Sequence, residues 1–196
     1  MAKLGFNAHG YVFQESTEGI RRSYDSALAA LTARYEDLKQ QYEQFVIDEA
    51  AGKAESYELD EDGSVLYSHQ TAYEMMIERE HDSIITLREA FIVILHHHWE
   101  KSCNFGMLET EYKFETAYKW LNDNGLTPDV DKLELLRTLC NAIKHQSYTV
   151  LKKFPKLFEP WPSHDKAWRL RKFIETVQFG DLVDAVKRSG LQATSR

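Results

Sequence analysis

Between residues 24 and 45 the side chains Tyr24, Leu28, Leu31, Tyr35, Leu38, Tyr42 and Phe45 recur at alternating steps of four and three. This 3.5-residue period draws one apolar seam along an amphipathic helix; a strand, whose side chains alternate at every residue, cannot satisfy it. Ser16 is the expected cap and Gly52 the expected stop, which predicts a helix over 16–52, a rod of roughly 50 Å at 1.5 Å per residue. So long a seam needs a cover, either another helix of the same chain or the same helix of a second copy.

The rest of the chain also favours helices. Only 4 Pro and 9 Gly occur in 196 residues, too few turn formers for an all-β protein. At 43% hydrophobic and 28% charged residues the composition is that of a single globular domain over 1–196. The longest apolar run, Ala90–Leu95, is too short to span a bilayer, and Met1–Gly10 lacks the apolar core of a signal peptide. Cys103 and Cys140 fit neither a disulfide framework nor a zinc site, so buried free thiols in a cytoplasmic protein are expected.

Thr71-Ala72-Tyr73-Glu74 has the form of a capping box. It opens a second long helix carrying Ile77, Ile84, Leu87, Phe91, Ile94, Leu95 and Trp99 out to about Cys103. Between the two rods lies an acidic interruption, Ala54–Ser68, whose Asp62-Gly63 pair suggests a small hairpin. Asp60, Glu61 and Asp62 do not make a calcium loop, because Gly63 comes too early and no Glu stands at the twelfth position. A third helix carries Leu108, Tyr112, Phe114, Ala117, Tyr118 and Leu121 and stops at Asn124-Gly125. Thr127-Pro128-Asp129 then reads as cap, first-turn proline and acid, launching a fourth helix to about Lys153. Past Pro155, Pro160 and Pro162, Ser163 caps a short basic helix with Trp168, Leu170, Phe173 and Ile174, and Asp181–Arg188 forms the last of the basic C-terminal helices, 163–190. The predicted fold is all-α, an antiparallel bundle of four to six helices.

Charge is distributed unevenly. The whole chain has 24 Lys+Arg against 31 Asp+Glu, net −7; Met1–Glu134 holds 12 basic and 26 acidic residues, Leu135–Arg196 holds 12 and 5. A basic terminal third can meet an anion such as RNA or pair with the chain's own acidic helices.

The segment Leu135–Tyr148 combines an apolar stripe (Leu136, Leu139, Cys140, Ile143) with a polar one in which Arg137, Asn141 and His145 stand one turn apart, with Lys144 and Tyr148 beside them. A cation, an amide and an imidazole in a row suit work on a phosphodiester, since imidazole moves protons near neutral pH and Arg or Lys stabilises phosphate charge. A polar helix face bonded to a neighbouring helix would give the same pattern.

Cys140-Asn141-Ala142-Ile143-Lys144-His145, preceded by a long helix ending in His98-Trp99-Glu100, resembles the HEPN superfamily (higher eukaryote and prokaryote nucleotide-binding) over Ile84–Phe158. The family motif is an Arg, a polar residue, then a His after four to six intervening positions. Asn141 and His145 match it, Cys140 stands in the Arg position, and Arg137 lies seven intervening residues before His145. The resemblance implies a HEPN-like core over 69–158 and a metal-independent endoribonuclease or RNA- or nucleotide-binding module of a prokaryotic toxin–antitoxin or antiphage defence system, acting as a homodimer. His145 would carry the proton, Arg137 or Lys144 clamp the phosphate and Asn141 position it. The alternative is a non-catalytic immunity- or antitoxin-like module that binds a cognate protein partner through its acidic part.

His96-His97-His98 beside Glu100 cannot all face one ion, because consecutive helical residues point about 100° apart. Glu78 and His81 supply one Glu-x-x-His pair with no second. No metal or cofactor is therefore expected; His96 and Glu100, at i and i+4, form a polar strip that could face His145. Lys152, Lys153, Lys156, Lys166, Arg169, Arg171 and Lys172, with Trp161 and Trp168 interleaved, could track a phosphate backbone or form a solvated charged face.

Overall fold

The computed structural model describes residues 8–107 and 113–189. Among them are α1 (Ala8–Ala50), β1 (Tyr57–Leu59), β2 (Val65–Ser68), α2 (His69–Met107), α3 (Phe114–Asp123), α4 (Val130–His145), α5 (Thr149–Lys153), a 3-10 turn at Pro155–Phe158, α6 (Lys166–Thr176) and α7 (Phe179–Ser189). The fold is all-α with one small antiparallel sheet. No described helix is long and apolar enough to cross a membrane. Two compact units divide the chain: a paired-helix unit, Asp25–Leu87, and a core unit, Met1–Tyr24 with Arg88–Arg196.

In the paired-helix unit the seam of α1 is covered by α2 of the same chain, running antiparallel. The Tyr35 ring lies 5.9 Å from His81, Tyr42 5.9 Å from Tyr73, and Phe45 5.4 Å from Tyr73. The Tyr42 hydroxyl donates to Glu74 at 3.2 Å, and Arg34 pairs with Glu80 at 3.0 Å. Two helices enclose little volume, and here only Glu80 and Ile85 are buried among the described residues.

Several helix ends differ from expectation. Ser16 is interior to α1, its Oγ donating to the Val12 carbonyl at 2.6 Å, whereas Gly52, at φ 67, does close the helix. Ser68, not Thr71, caps α2, its Oγ accepting the Thr71 N–H at 3.4 Å. The hairpin pairs Tyr57 with Ser68 and Glu58 with Tyr67. Its turn is held by Asp60 Oδ1, which accepts the N–H groups of Asp62 (3.0 Å) and Ser64 (2.7 Å), with Gly63 at φ 80.

The core unit encloses Ile92, Leu95 and Trp99 of α2, Leu133, Leu136 and Leu139 of α4, and Leu182, Val183 and Val186 of α7. Tyr24 and Phe91 converge on Phe179 at 4.2 and 6.1 Å. Asp129 rather than Thr127 caps α4, accepting the Lys132 N–H at 3.2 Å. The fourth helix does not reach Lys153: Gln146 takes φ 50, the left-handed conformation that ends α4, and α5 starts afresh at Thr149. Asp165 rather than Ser163 caps α6, with bonds from the Ala167 and Trp168 N–H groups. Leu108 and Tyr112 lie outside the described residues.

Candidate functional site

The triple histidine sits on the last turns of α2, where helical geometry splits it. His98 turns away to stack on Phe13, 5.0 Å between ring centres, with its Nε2 3.0 Å from Thr17 Oγ1. His96 and His97 stay with Glu100. The Glu100 Oε2 atom is 3.1 Å from His97 Nδ1 and 3.8 Å from His96 Nδ1. From α4, Lys144 brings Nζ to 3.5 Å from His97 Nε2.

An ammonium group has donors and no acceptor, so the tautomer that fits both contacts keeps the lone pair on Nε2, facing Lys144, and donates Nδ1–H to the Glu100 carboxylate. His97 is 48% exposed and Glu100 30%. His96, 7% exposed, is the opposite case: burial holds its pKa at about 4 against the opposing pull of Glu100, so its ring is neutral at physiological pH.

The anticipated site residues on α4 disperse. Arg137 donates twice to Glu134, at 2.9 and 2.8 Å, and its guanidinium covers the Phe114 ring at 4.9 Å. Glu134 also takes Lys153. Burial pushes its carboxyl up, but the bonds from Arg137 and Lys153 outweigh this and hold it below the usual value. Arg137 is thus committed to an internal cluster. Cys140 is buried, and burial keeps its thiol protonated. Asn141 is half-buried on the same helix. His145 is exposed at the last position of α4 and makes no hydrogen bond or ion pair among the described residues. Tyr148, beyond the helix break, lines a different cavity. The strip of His96 and Glu100 therefore meets Lys144 through His97 rather than meeting His145.

Sequence reasoning passed over His97 as one of three diverging rings. The signal was its i, i+3 spacing from Glu100, which puts both on one helix face. Nothing in the sequence announces Lys144 across the helix pair.

One nitrogen of each imidazole and a Glu100 carboxylate oxygen lie within 4.8 Å of one another, a spacing compatible with three ligands of one cation. Electrostatics favour another use. Lys144 is within hydrogen-bonding reach of His97, and both it and Arg137 act on His96 as positive charges. An oriented imidazole between a carboxylate and a cation is suited to proton transfer near an anion.

A cavity of about 630 Å³ lies elsewhere in the core unit. Leu135, Phe154, Leu157, Phe173, Val177 and Leu182 contribute to its lining, and none of His96, His97, Glu100 or Lys144 does. Comparison of the chain with family models, curated proteins and solved structures finds no match.

Proposed function

We propose that this protein is a HEPN-like endoribonuclease of a prokaryotic toxin–antitoxin or antiphage system, and that His97 of α2 is its proton acceptor. One observation carries the reading: a half-exposed imidazole is fixed by a carboxylate on one nitrogen and faces an ammonium group with the other. The resemblance of Ile84–Phe158 to the superfamily supplies the substrate class and the setting.

In this reading His97 Nε2 accepts the proton of a ribose 2′-hydroxyl. The 2′-oxygen bonds to the adjoining phosphorus as the bond from phosphorus to the 5′-oxygen breaks, and the leaving oxygen takes a proton from solvent. Lys144 moves from the ring to the nonbridging oxygens, where charge grows. Glu100 holds the ring orientation and stabilises the imidazolium that forms. Arg137 acts as a positioning residue for α4 through Glu134 and Phe114. No step requires a metal ion.

The test is cleavage of end-labelled RNA by purified protein in EDTA. Products should end in a 2′,3′-cyclic phosphate, and His97→Ala should lower the rate by about a hundredfold or more. A His97→Ala protein that cleaves at the parental rate sinks the assignment. His145→Ala, run in parallel, measures what the second imidazole contributes.

A second reading rests on the paired-helix unit, which exposes Tyr57, Leu59, Val65, Leu66 and Tyr67 on its hairpin and carries 15 acidic against 4 basic residues. An apolar patch within an acidic surface suits a basic protein partner, as in an antitoxin- or immunity-like module. Saturable binding of such a partner, lost in Leu66→Asp, with no cleavage by the parent, would favour it. The homodimer that the resemblance implies is checked by sedimentation equilibrium.

A further inference from the structure

The cations of the C-terminal third separate by what they meet. Lys153 goes to Glu134, Lys172 and Arg171 to Glu175 at 2.8 and 3.7 Å, Lys187 to Glu18 at 2.9 Å, and Arg188 to Asp129 at 3.4 Å. Lys152 of α5 and Lys166 and Arg169 of α6 make no ion pair among the described residues. These three line one cavity of about 520 Å³, together with Tyr148, Thr149, Ser163 and His164.

Among the described residues no carboxylate lines this cavity. Asp165, next in sequence, is turned into α6, where its Oδ1 accepts the N–H groups of Ala167 (2.9 Å) and Trp168 (3.1 Å). Arg169 is held in place: it donates to the Phe158 carbonyl at 3.0 Å and its guanidinium lies 5.8 Å over the Phe158 ring, while its buried Nε has no acceptor among the described residues. A fixed guanidinium and two adaptable ammonium groups, with no acid among the described lining residues, make an anion receptor.

We propose that this cavity binds a phosphomonoester, the terminal phosphate of an RNA strand or of a free nucleotide. Three cations lacking carboxylate partners match a group of roughly −1.5 to −2 charges better than a singly charged internal phosphodiester. The cavity is independent of His97; only the strand as a source of the phosphate rests on the ribonuclease reading.

The experiment uses the full chain and a 2′-O-methyl octanucleotide, which cannot be cleaved through a 2′-hydroxyl. Fluorescence anisotropy compares the 5′-phosphorylated and 5′-hydroxyl forms, with adenosine 5′-monophosphate as competitor. The phosphorylated strand should bind about tenfold more tightly. The difference should vanish in Lys152→Ala/Lys166→Ala, whose side chains are exposed, and persist in Lys152→Arg/Lys166→Arg. If the mononucleotide displaces the strand at equal affinity, the pocket serves free nucleotides; if it competes weakly, it serves strand ends. Equal affinity for both strands with no mononucleotide binding overturns the proposal, as does a preference that survives the double alanine variant. Absent cleavage of unmodified RNA alongside an intact phosphate preference would remove the ribonuclease reading and leave this pocket standing.

Discussion

Asp25–Leu87 holds 15 acidic and 4 basic residues and buries only Glu80 and Ile85 among the described positions, whereas the remainder of the chain holds 16 acidic and 20 basic residues and every other buried side chain. Both units are built from the same two long helices, α1 and α2, so helix propensity does not separate them. What differs is the number of neighbours available to cover an apolar stripe. Where α1 and α2 have only each other, the Tyr, Phe and Leu side chains of the stripe stay half-covered and the outer faces can carry dense negative charge in water. Where five further helices are present, aromatic side chains such as Trp99 and Phe158 close over completely along with Leu, Val and Ile.

Truncation should expose this contrast most strongly. Leu139→Ala, in the closed core, is expected to lower stability by about 4 kcal/mol, and Leu31→Ala, on the half-covered seam, by about 1 kcal/mol, both from urea denaturation. Equal losses would mean that the seam is as well covered as the core.

A pH titration follows in size. The buried His96 has a folded pKa near 4 against an ordinary value of 6.5, so the unfolded chain binds the extra proton between those limits. Stability of the core unit should therefore fall as pH drops from about 6.5 to about 4, by up to about 3 kcal/mol, and His96→Phe should flatten the profile. An unchanged slope in the variant would place the titration elsewhere, with His98, also held low by burial, as the next group to replace.

In the paired-helix unit, Arg34→Ala leaves the mostly buried Glu80 carboxylate without its ion-pair partner and should cost about 1 kcal/mol in denaturant midpoint, partly recovered by adding Glu80→Gln. The smallest effect belongs to the hairpin: Leu66→Ser should stay within about 0.5 kcal/mol, because the side chain is 60% exposed. A larger loss there would indicate a second chain covering the hairpin.

The heptad seam, the hairpin at Asp62-Gly63 and the apolar faces of α2, α4 and α6 were legible because each follows from a period or a turn residue within a short window. Helix caps were read less well: Thr71, Thr127 and Ser163 each have a neighbour that caps instead, and at Ser16 the helix runs straight through. The candidate site was legible only in part. Glu100, His96 and Lys144 could be singled out from type and spacing, but the capture of Arg137 by Glu134 and Phe114, and the approach of Lys144 to His97, depend on how helices distant in sequence are placed. The cavity lined by Lys152, Lys166 and Arg169 was visible in sequence only as part of a run of basic residues, because which of them meets an acid is decided by packing: Glu134 takes Lys153, and Glu175 takes Lys172 and Arg171 on its own helix.

The single residue at Gln146 has reach beyond its own turn. Had the backbone kept winding there, Lys144, Lys152 and Lys153 would share one unbroken cylinder, and the C-terminal cations would form one electrostatic rail. The left-handed turn instead leaves Lys144 beside His97 and Lys152 in a cavity with Lys166 and Arg169, so that each neighbourhood is open to mutation without altering the other.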